Sequence, residues 1–221
     1  MKRHIYVPCR LRTDLLVQAL CSLGPLWRET TVINNTCSTL PIGPEWHVHT
    51  LGEWPWPAAQ MANWMMADAQ RRDLDYYFWM HDDNAFLDAS GPTDFLNAAE
   101  HIFADDKTVG VIRTHDYTGV AHRITSDLAT GFYDGTWPDY FCDTDYYYRV
   151  QLAGFKVVDL DILRGRWVHH GSQTLNSDPL YKLRTDVFWP SYVAWYKAKW
   201  GGCPLVGTPQ QFSKPFNGRF C

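Results

Sequence analysis

The segment Tyr77-Phe78-Trp79-Met80-His81-Asp82-Asp83-Asn84 sets two carboxylates side by side at the end of an apolar run. Adjacent carboxylates that lose solvation repel each other, and a bound divalent cation relieves that cost. Hard oxygen ligands select magnesium or manganese, ions that commonly bind substrate phosphates as well. The competing reading is an Asp-Asp-Asn turn, and the all-apolar segment before it weighs against that. A second acidic group is Cys142-Asp143-Thr144-Asp145, in the first turn of a predicted helix. The helix dipole favours acids there, and one of them at the rim of a site can serve as general base toward a hydroxyl. A third group is Trp167-Val168-His169-His170-Gly171-Ser172-Gln173-Thr174. Its paired imidazoles can ligate a metal or donate to phosphate; two surface histidines without a role are the alternative.

Other chemistries lack their signatures. The sequence has no Gly-x-x-x-x-Gly-Lys loop, no Gly-x-Gly-x-x-Gly after the first strand, no Gly-x-Ser-x-Gly and no His-Glu-x-x-His. An ordinary P-loop NTPase, a dinucleotide oxidoreductase, an α/β-hydrolase and a zinc hydrolase are therefore poorly supported.

The elements that must position these groups follow from periodicity and punctuation. Residues 5–8 read as a first strand. Residues 13–20 read as a helix with Thr13 as N-cap and Gly24-Pro25 beyond its end. Residues 30–35 and 46–51 read as strands. Residues 57–72 read as a helix with Pro57 in its first turn. Residues 76–80 form an uninterrupted apolar strand of the kind buried on both faces. Residues 92–104 read as a helix and 109–113 as a strand, while 115–140 are polar and irregular. A helix over 143–153 ends at Gly154, a strand covers 155–160, and 164–185 read as loop. An aromatic helix over 190–200 stops at Gly201-Gly202, and the last twenty residues show no clear element. Strand and helix thus alternate with short links, which predicts a mainly parallel sheet with helices on both faces. In such sheets ligands bind beyond the carboxyl ends of the strands, where Asn34-Asn35 and Asp82-Asp83 fall.

Composition bounds the rest. At 221 residues, 46% apolar and 20% charged, the chain suits one soluble globular domain. No apolar run approaches the roughly 18 residues of a membrane span. The basic start runs straight into a strand without a signal-peptide core, so a cytoplasmic location is expected. None of the six cysteines is paired at zinc-ribbon spacing, and buried free thiols are expected. The charge is asymmetric: residues 1–145 carry 10 Lys and Arg against 20 Asp and Glu, whereas residues 146–221 carry 10 against 4 Asp. An acidic body with a basic final third can hold a cation and then a phosphate. The aromatic cluster Trp189, Tyr192, Trp195, Tyr196 and Trp200 could stack on a sugar or a flipped base, but its helical spacing favours core packing.

The order of these pieces resembles the GT-A fold glycosyltransferases, and within them the large family 2. Ile33-Asn34-Asn35-Thr36-Cys37-Ser38 is similar to that family's Asp-Asn-x-Ser signature, and His81-Asp82-Asp83-Asn84 to its acidic metal motif. Cys142-Asp143-Thr144-Asp145 with Arg149 and Gly154 is similar to its Glu-Asp-x-Asp helix. Val168-His169-His170-Gly171-Ser172 resembles its late histidine loop, and Lys199-Trp200-Gly201-Gly202 with Pro215-Phe216-Asn217 a tail seen in some small members. The resemblance spans nearly the whole chain. It implies a single GT-A (Rossmann-like) α/β domain over 1–221. Residues 1–87 would bind a nucleotide-sugar, 88–185 would hold the acceptor and the catalytic base, and 186–221 would form an aromatic helix and tail.

It also implies an inverting transfer that depends on Mn2+ or Mg2+ and uses a nucleotide-diphosphate sugar. Asp83 would bind the metal, with His169 or His170 completing the metal site or touching the diphosphate. Asp82 would contact the donor ribose or the metal shell. Asn34 would sit near the nucleobase, with Asn35, Pro8, Arg10 and His81 among the donor-binding positions. Asp143 would be the base. Three positions depart from the family. Asn34 replaces the usual Asp, which leaves the donor base open. Cys142 replaces the usual Glu, so Asp143 or Asp145 can hold the basic role. His81 stands where an acid is also common. The acceptor would be a saccharide, a protein or a hydroxymethylated pyrimidine in DNA, since phage-type DNA glycosylating enzymes resemble this minimal architecture. The alternatives are a nucleotidyltransferase, for which Cys9-Arg10-Leu11-Arg12 lacks the glycines, and a non-catalytic sugar- or nucleic-acid-binding module.

Overall fold

A computed structural model describes residues 1–36, 38–52, 56–137, 139–171 and 176–214. The first half builds β1 (Arg3–Cys9), α1 (Thr13–Ser22), β2 (Thr30–Asn34), β3 (His47–Thr50), α2 (Ala58–Arg71), β4 (Tyr76–Met80), β5 (Asn84–Phe86) and α3 (Gly91–Asp105). The second half builds β6 (Val109–Thr114), β7 (Gly119–Arg123), α4 (Ile124–Thr130), α5 (Cys142–Leu152), β8 (Lys156–Leu160), β9 (Trp167–His169) and α6 (Pro179–Trp200). Among the described residues seven strands form one sheet in the order β3-β2-β1-β4-β7-β6-β8, and β5 pairs with β9 in a separate ribbon. Strands β1 to β4 are mutually parallel, β6 is parallel to β8, and β7 runs antiparallel to both its neighbours. The sheet is mixed and mainly parallel, as expected.

The strands form where side chains can be buried on both faces. Every residue of β2 and β4 is buried. Alternation then divides β4 between two cores. Tyr77 and Trp79 join a cluster with α2, α5 and the end of α6, whereas Tyr76, Phe78 and Met80 join one with α1 and α3. Among the described cysteines, Cys9, Cys142 and Cys203 are buried free thiols, but Cys21 is exposed. No described helix is long and apolar enough to cross a membrane.

Besides the exposure of Cys21, the structure corrects four expectations about the elements. Residues 115–140 are not irregular, because β7 and α4 lie within them. Strand β7 escapes notice because it ends in His122 and Arg123, both buried. The fold satisfies them through distant partners. His122 stacks on Tyr77 with ring centroids 5.0 Å apart, and Arg123 donates to the carbonyls of Val109, Phe103 and Asp106 at the end of α3. Residues 164–185 are not all loop, since they hold the three residues of β9 and the first turns of α6. Helix α6 starts at Pro179 rather than Pro190. The Asp178 carboxylate accepts from Leu180 N and Tyr181 N at 3.0 Å each, a strong N-cap. Pro190 sits inside it at the cost of one hydrogen bond, while Tyr192, Tyr196 and Trp200 bury its other half. Finally, Thr13 is the first residue of α1, and no side chain caps that helix. The aromatic cluster divides as its spacing suggests: Tyr192, Tyr196 and Trp200 are core, and Trp195 is exposed.

One seam of the sheet is sensitive to acid. His4 Nε2 bonds Thr31 Oγ1 at 2.8 Å and lies 3.2 Å from Arg72 Nη1. Burial, and then the Arg72 charge, push its imidazole down from 6.5 to about 4. A group depressed on folding stays neutral in the folded state while the unfolded chain takes up a proton. Its contribution is present above 6.5 and is lost as pH falls toward 4. Urea titrations of wild type and His4→Gln should therefore converge with falling pH, wild type losing up to ~3 kcal/mol relative to the variant across that window. A constant difference would contradict this reading.

Candidate functional site

At the carboxyl ends of β1, β2 and β4 the chain opens into a cavity of about 320 Å³. Pro8 and Arg10 line it from the end of β1, Asn35 from the end of β2, and His81, Asp82 and Asp83 from the end of β4. Asp143 reaches it from the first turn of α5, and His169 from the last position of β9. The short ribbon explains the last of these. Asn84 of β5 pairs with His169 of β9, which sets the imidazole beside Asp83. Asn84 is itself anchored to the hairpin between β6 and β7, donating to Thr118 O at 2.9 Å and accepting from Thr118 Oγ1 at 3.1 Å.

The two carboxylates are each only 8% exposed. Asp82 accepts from Arg10 N at 3.3 Å, and burial followed by the Asp83 charge pushes its carboxyl up to about 7. Asp83 Oδ2 lies 3.2 Å from His169 Nε2. That hydrogen bond is the main cause that raises the His169 imidazole above its ordinary value. His81 moves the other way, lowered chiefly by burial, and it too lines the cavity. Among the described residues no three His, Cys, Asp or Glu side chains converge as a complete metal cage. Asp83 and His169 offer two donors instead, which would suit a hard cation that takes its remaining ligands from phosphate and water. The mutual repulsion of Asp82 and Asp83 is the observation in favour of that fit.

The other candidate positions separate. Asp143 is exposed and faces the cavity. Asp145 is fully buried on the far side of α5, where Arg149 Nε, Lys199 Nζ and Trp200 Nε1 reach it at 2.9, 2.8 and 2.8 Å. Asn34 lines a neighbouring depression, with its amide consumed by Thr36 and Ser38 of its own loop. Asn35 spends its amide on Trp56, donating to the carbonyl at 2.9 Å and accepting from the backbone N–H at 2.6 Å. His170 is exposed and does not line the cavity, and its backbone N–H donates to Asp83 O at 2.9 Å. Cys37, residues 172–174, residues 215–217 and Cys221 lie outside the described residues.

Sequence reasoning missed one wall. Trp56, Asp139 and Tyr181 also line the cavity. The Arg10 guanidinium sits 4.1 Å from the Tyr181 ring centroid and 3.3 Å from Asp139, which also pairs with Arg184. The first turn of α6 is thereby tied across the mouth to the end of β1. These residues lie in loops or at a helix start, and only the Asp178-Pro179 start signal could have pointed to them.

No known protein family and no curated protein matches the chain by sequence. Solved structures do match by fold. A mannosyltransferase from Pyrobaculum calidifontis, in complex with GDP-Man and Mn2+, superposes with a TM-score of 0.54 at 11% identity over 73% of this chain and 55% of that one. TarS from S. aureus in complex with UDP gives 0.55 at 12% identity over 73% of this chain and 58% of that one. A Drosophila β1,4-galactosyltransferase 7 variant with manganese, UDP-Gal and xylobiose gives 0.50 at 12% identity over 79% of this chain and 73% of that one. The chain thus spans little more than half the length of the first two. It has the GT-A fold of nucleotide-diphospho-sugar transferases.

The placement of the two α5 acids gives a direct contrast. Asp145→Ala leaves Lys199 and Arg149 without their buried partner and should lower stability by roughly 3–5 kcal/mol. Asp143→Asn, at an exposed position, should change it by less than about 0.5 kcal/mol. Chemical denaturation of both variants checks the pair.

Proposed function

We propose that the chain is a metal-dependent, inverting glycosyltransferase that moves a sugar from a nucleotide-diphosphate sugar to an acceptor hydroxyl. The observation that carries this reading is the meeting of Asp82, Asp83, His169 and Asp143 in one cavity of a GT-A fold. Asp83 and His169 would hold Mn2+ or Mg2+, with Asp82 beside them. The cation would neutralise charge on the departing nucleoside diphosphate. Pro8, Arg10, Asn35 and His81 would bound the donor pocket, and the amides of Asn34 and Asn35 would act by fixing its loops. Asp143 would accept the acceptor's hydroxyl proton as that oxygen attacks the anomeric carbon. The anomeric C–O bond to the diphosphate breaks as the new glycosidic bond forms on the opposite face, so configuration inverts. Within this reading residues 1–87 serve the donor and residues 88–185 the acceptor and the base, and within 186–221 it is Lys199 and Trp200 that brace α5.

A thermal-shift panel of UDP, GDP, CDP and ADP with and without Mn2+ tests the reading. One nucleotide should raise the melting temperature in a Mn2+-dependent way, and Asp83→Ala should abolish that shift. No shift with any nucleotide would favour a binding module. Asp143→Asn should keep the wild-type shift while lowering sugar transfer by about 10²–10⁴-fold. Full transfer in that variant would remove Asp143 from the mechanism.

A further inference from the structure

The hairpin between β6 and β7 carries a tyrosine that the donor pocket does not use. Tyr117 is 55% exposed at its tip, one residue before Thr118, which lines the cavity. Its φ is 66°, a left-handed conformation unfavourable for a bulky side chain. Such strain persists where the surroundings over-determine it, and it gathers at functional sites. Here the Thr114 carbonyl accepts from Tyr117 N at 2.9 Å and closes the turn. The Arg113 guanidinium lies 4.3 Å from the Tyr117 ring centroid and 5.0 Å from that of Tyr147. Tyr147 stands one helical turn after Asp143 on α5, so the two share a face. Burial, followed by the Asp143 charge, raises the Tyr147 phenol. A stack of Tyr147, Arg113 and Tyr117 therefore leads from the candidate base to an exposed ring.

We propose that Tyr117 is the acceptor platform of this site and that the acceptor is a saccharide. The inference rests on Asp143 acting as the base. A pyranose ring lays its C–H face on the Tyr117 ring, which brings one hydroxyl toward Asp143. Charge selects the class of acceptor. Asp143 and Asp159 adjoin the stack, and Arg113 is already paired with Asp159 at 2.8 Å. DNA brings a dense line of phosphates, and Arg113, its charge already matched by Asp159, offers them little beside the Asp143 carboxylate. A neutral sugar meets an aromatic face and the Asp143 carboxylate, which accepts from its hydroxyls.

Saturation-transfer NMR on the full chain tests this, with Mg2+ and the nucleoside diphosphate that stabilises it. The probes are xylobiose, cellobiose, maltose and chitobiose, together with a single-stranded oligonucleotide containing hydroxymethylcytosine. At least one disaccharide should receive saturation on the C–H protons of one ring face. Tyr117→Ala should weaken that signal about fivefold or more, while Tyr117→Phe retains it. Nucleotide-induced stabilisation should be unchanged in both variants. Saccharide contact that survives Tyr117→Ala overturns the proposal, as does contact with the oligonucleotide alone or with no probe. If the wild-type chain is stabilised by no nucleotide, the transferase reading fails first and the platform falls with it.

Discussion

Two carboxylates forced together at the end of a buried strand are the constraint around which this molecule is organised. Asp82 and Asp83 follow five residues that are buried without exception, so they cannot turn into solvent. The surroundings answer the repulsion piece by piece. Arg10 offers a backbone N–H to Asp82, and His169 offers an imidazole to Asp83. Even so, burial and the Asp83 charge push the Asp82 carboxyl up to about 7. The pair lines a cavity of about 320 Å³ together with His81, Asp143 and His169.

A second polar cluster does the opposite work. Asp145 lies only two positions from Asp143 on α5, yet it is fully buried and saturated by Arg149, Lys199 and Trp200. It needs no ligand. Its partners on α6 clamp the first turn of α5 against the core, and that turn fixes where Asp143 emerges. One helix thus carries a closed polar centre on its inner face and an open one on its outer face.

Much of this was legible in the sequence. The strand over 76–80 coincides residue for residue with β4, because an unbroken apolar run bounded by polar residues admits few other fates. Most of the other principal strands and helices fall within a residue or two of their expected limits. The strand-end rule foretold that Asn34-Asn35 and Asp82-Asp83 would lie at one edge of the sheet, whereas the joining of Asp143 and of His169 or His170 to them was implied only by the family resemblance; the cavity brings Asn35, Asp82, Asp83, Asp143 and His169 together. Other features were hidden because their causes are tertiary. Strand β7 reads as polar until His122 finds Tyr77 and Arg123 finds the end of α3. The choice between Asp143 and Asp145 depends on which side of α5 faces Lys199. Asn34 satisfies itself within a loop whose hydrogen bonds no composition displays.

The antiparallel strand in the middle of the sheet has a consequence for biosynthesis. Strand β4 has two partners, β1 before it in the chain and β7 more than forty residues after its start. A nascent chain that has emerged only as far as α3 holds Tyr-Tyr-Phe-Trp-Met with one edge paired and the other bare. Bare apolar edges are templates for intermolecular pairing. Solubility during synthesis therefore depends on how quickly the hairpin of β6 and β7 closes and delivers its second strand. A short, local hairpin is suited to that task, because it forms in microseconds where a long crossover would be slower.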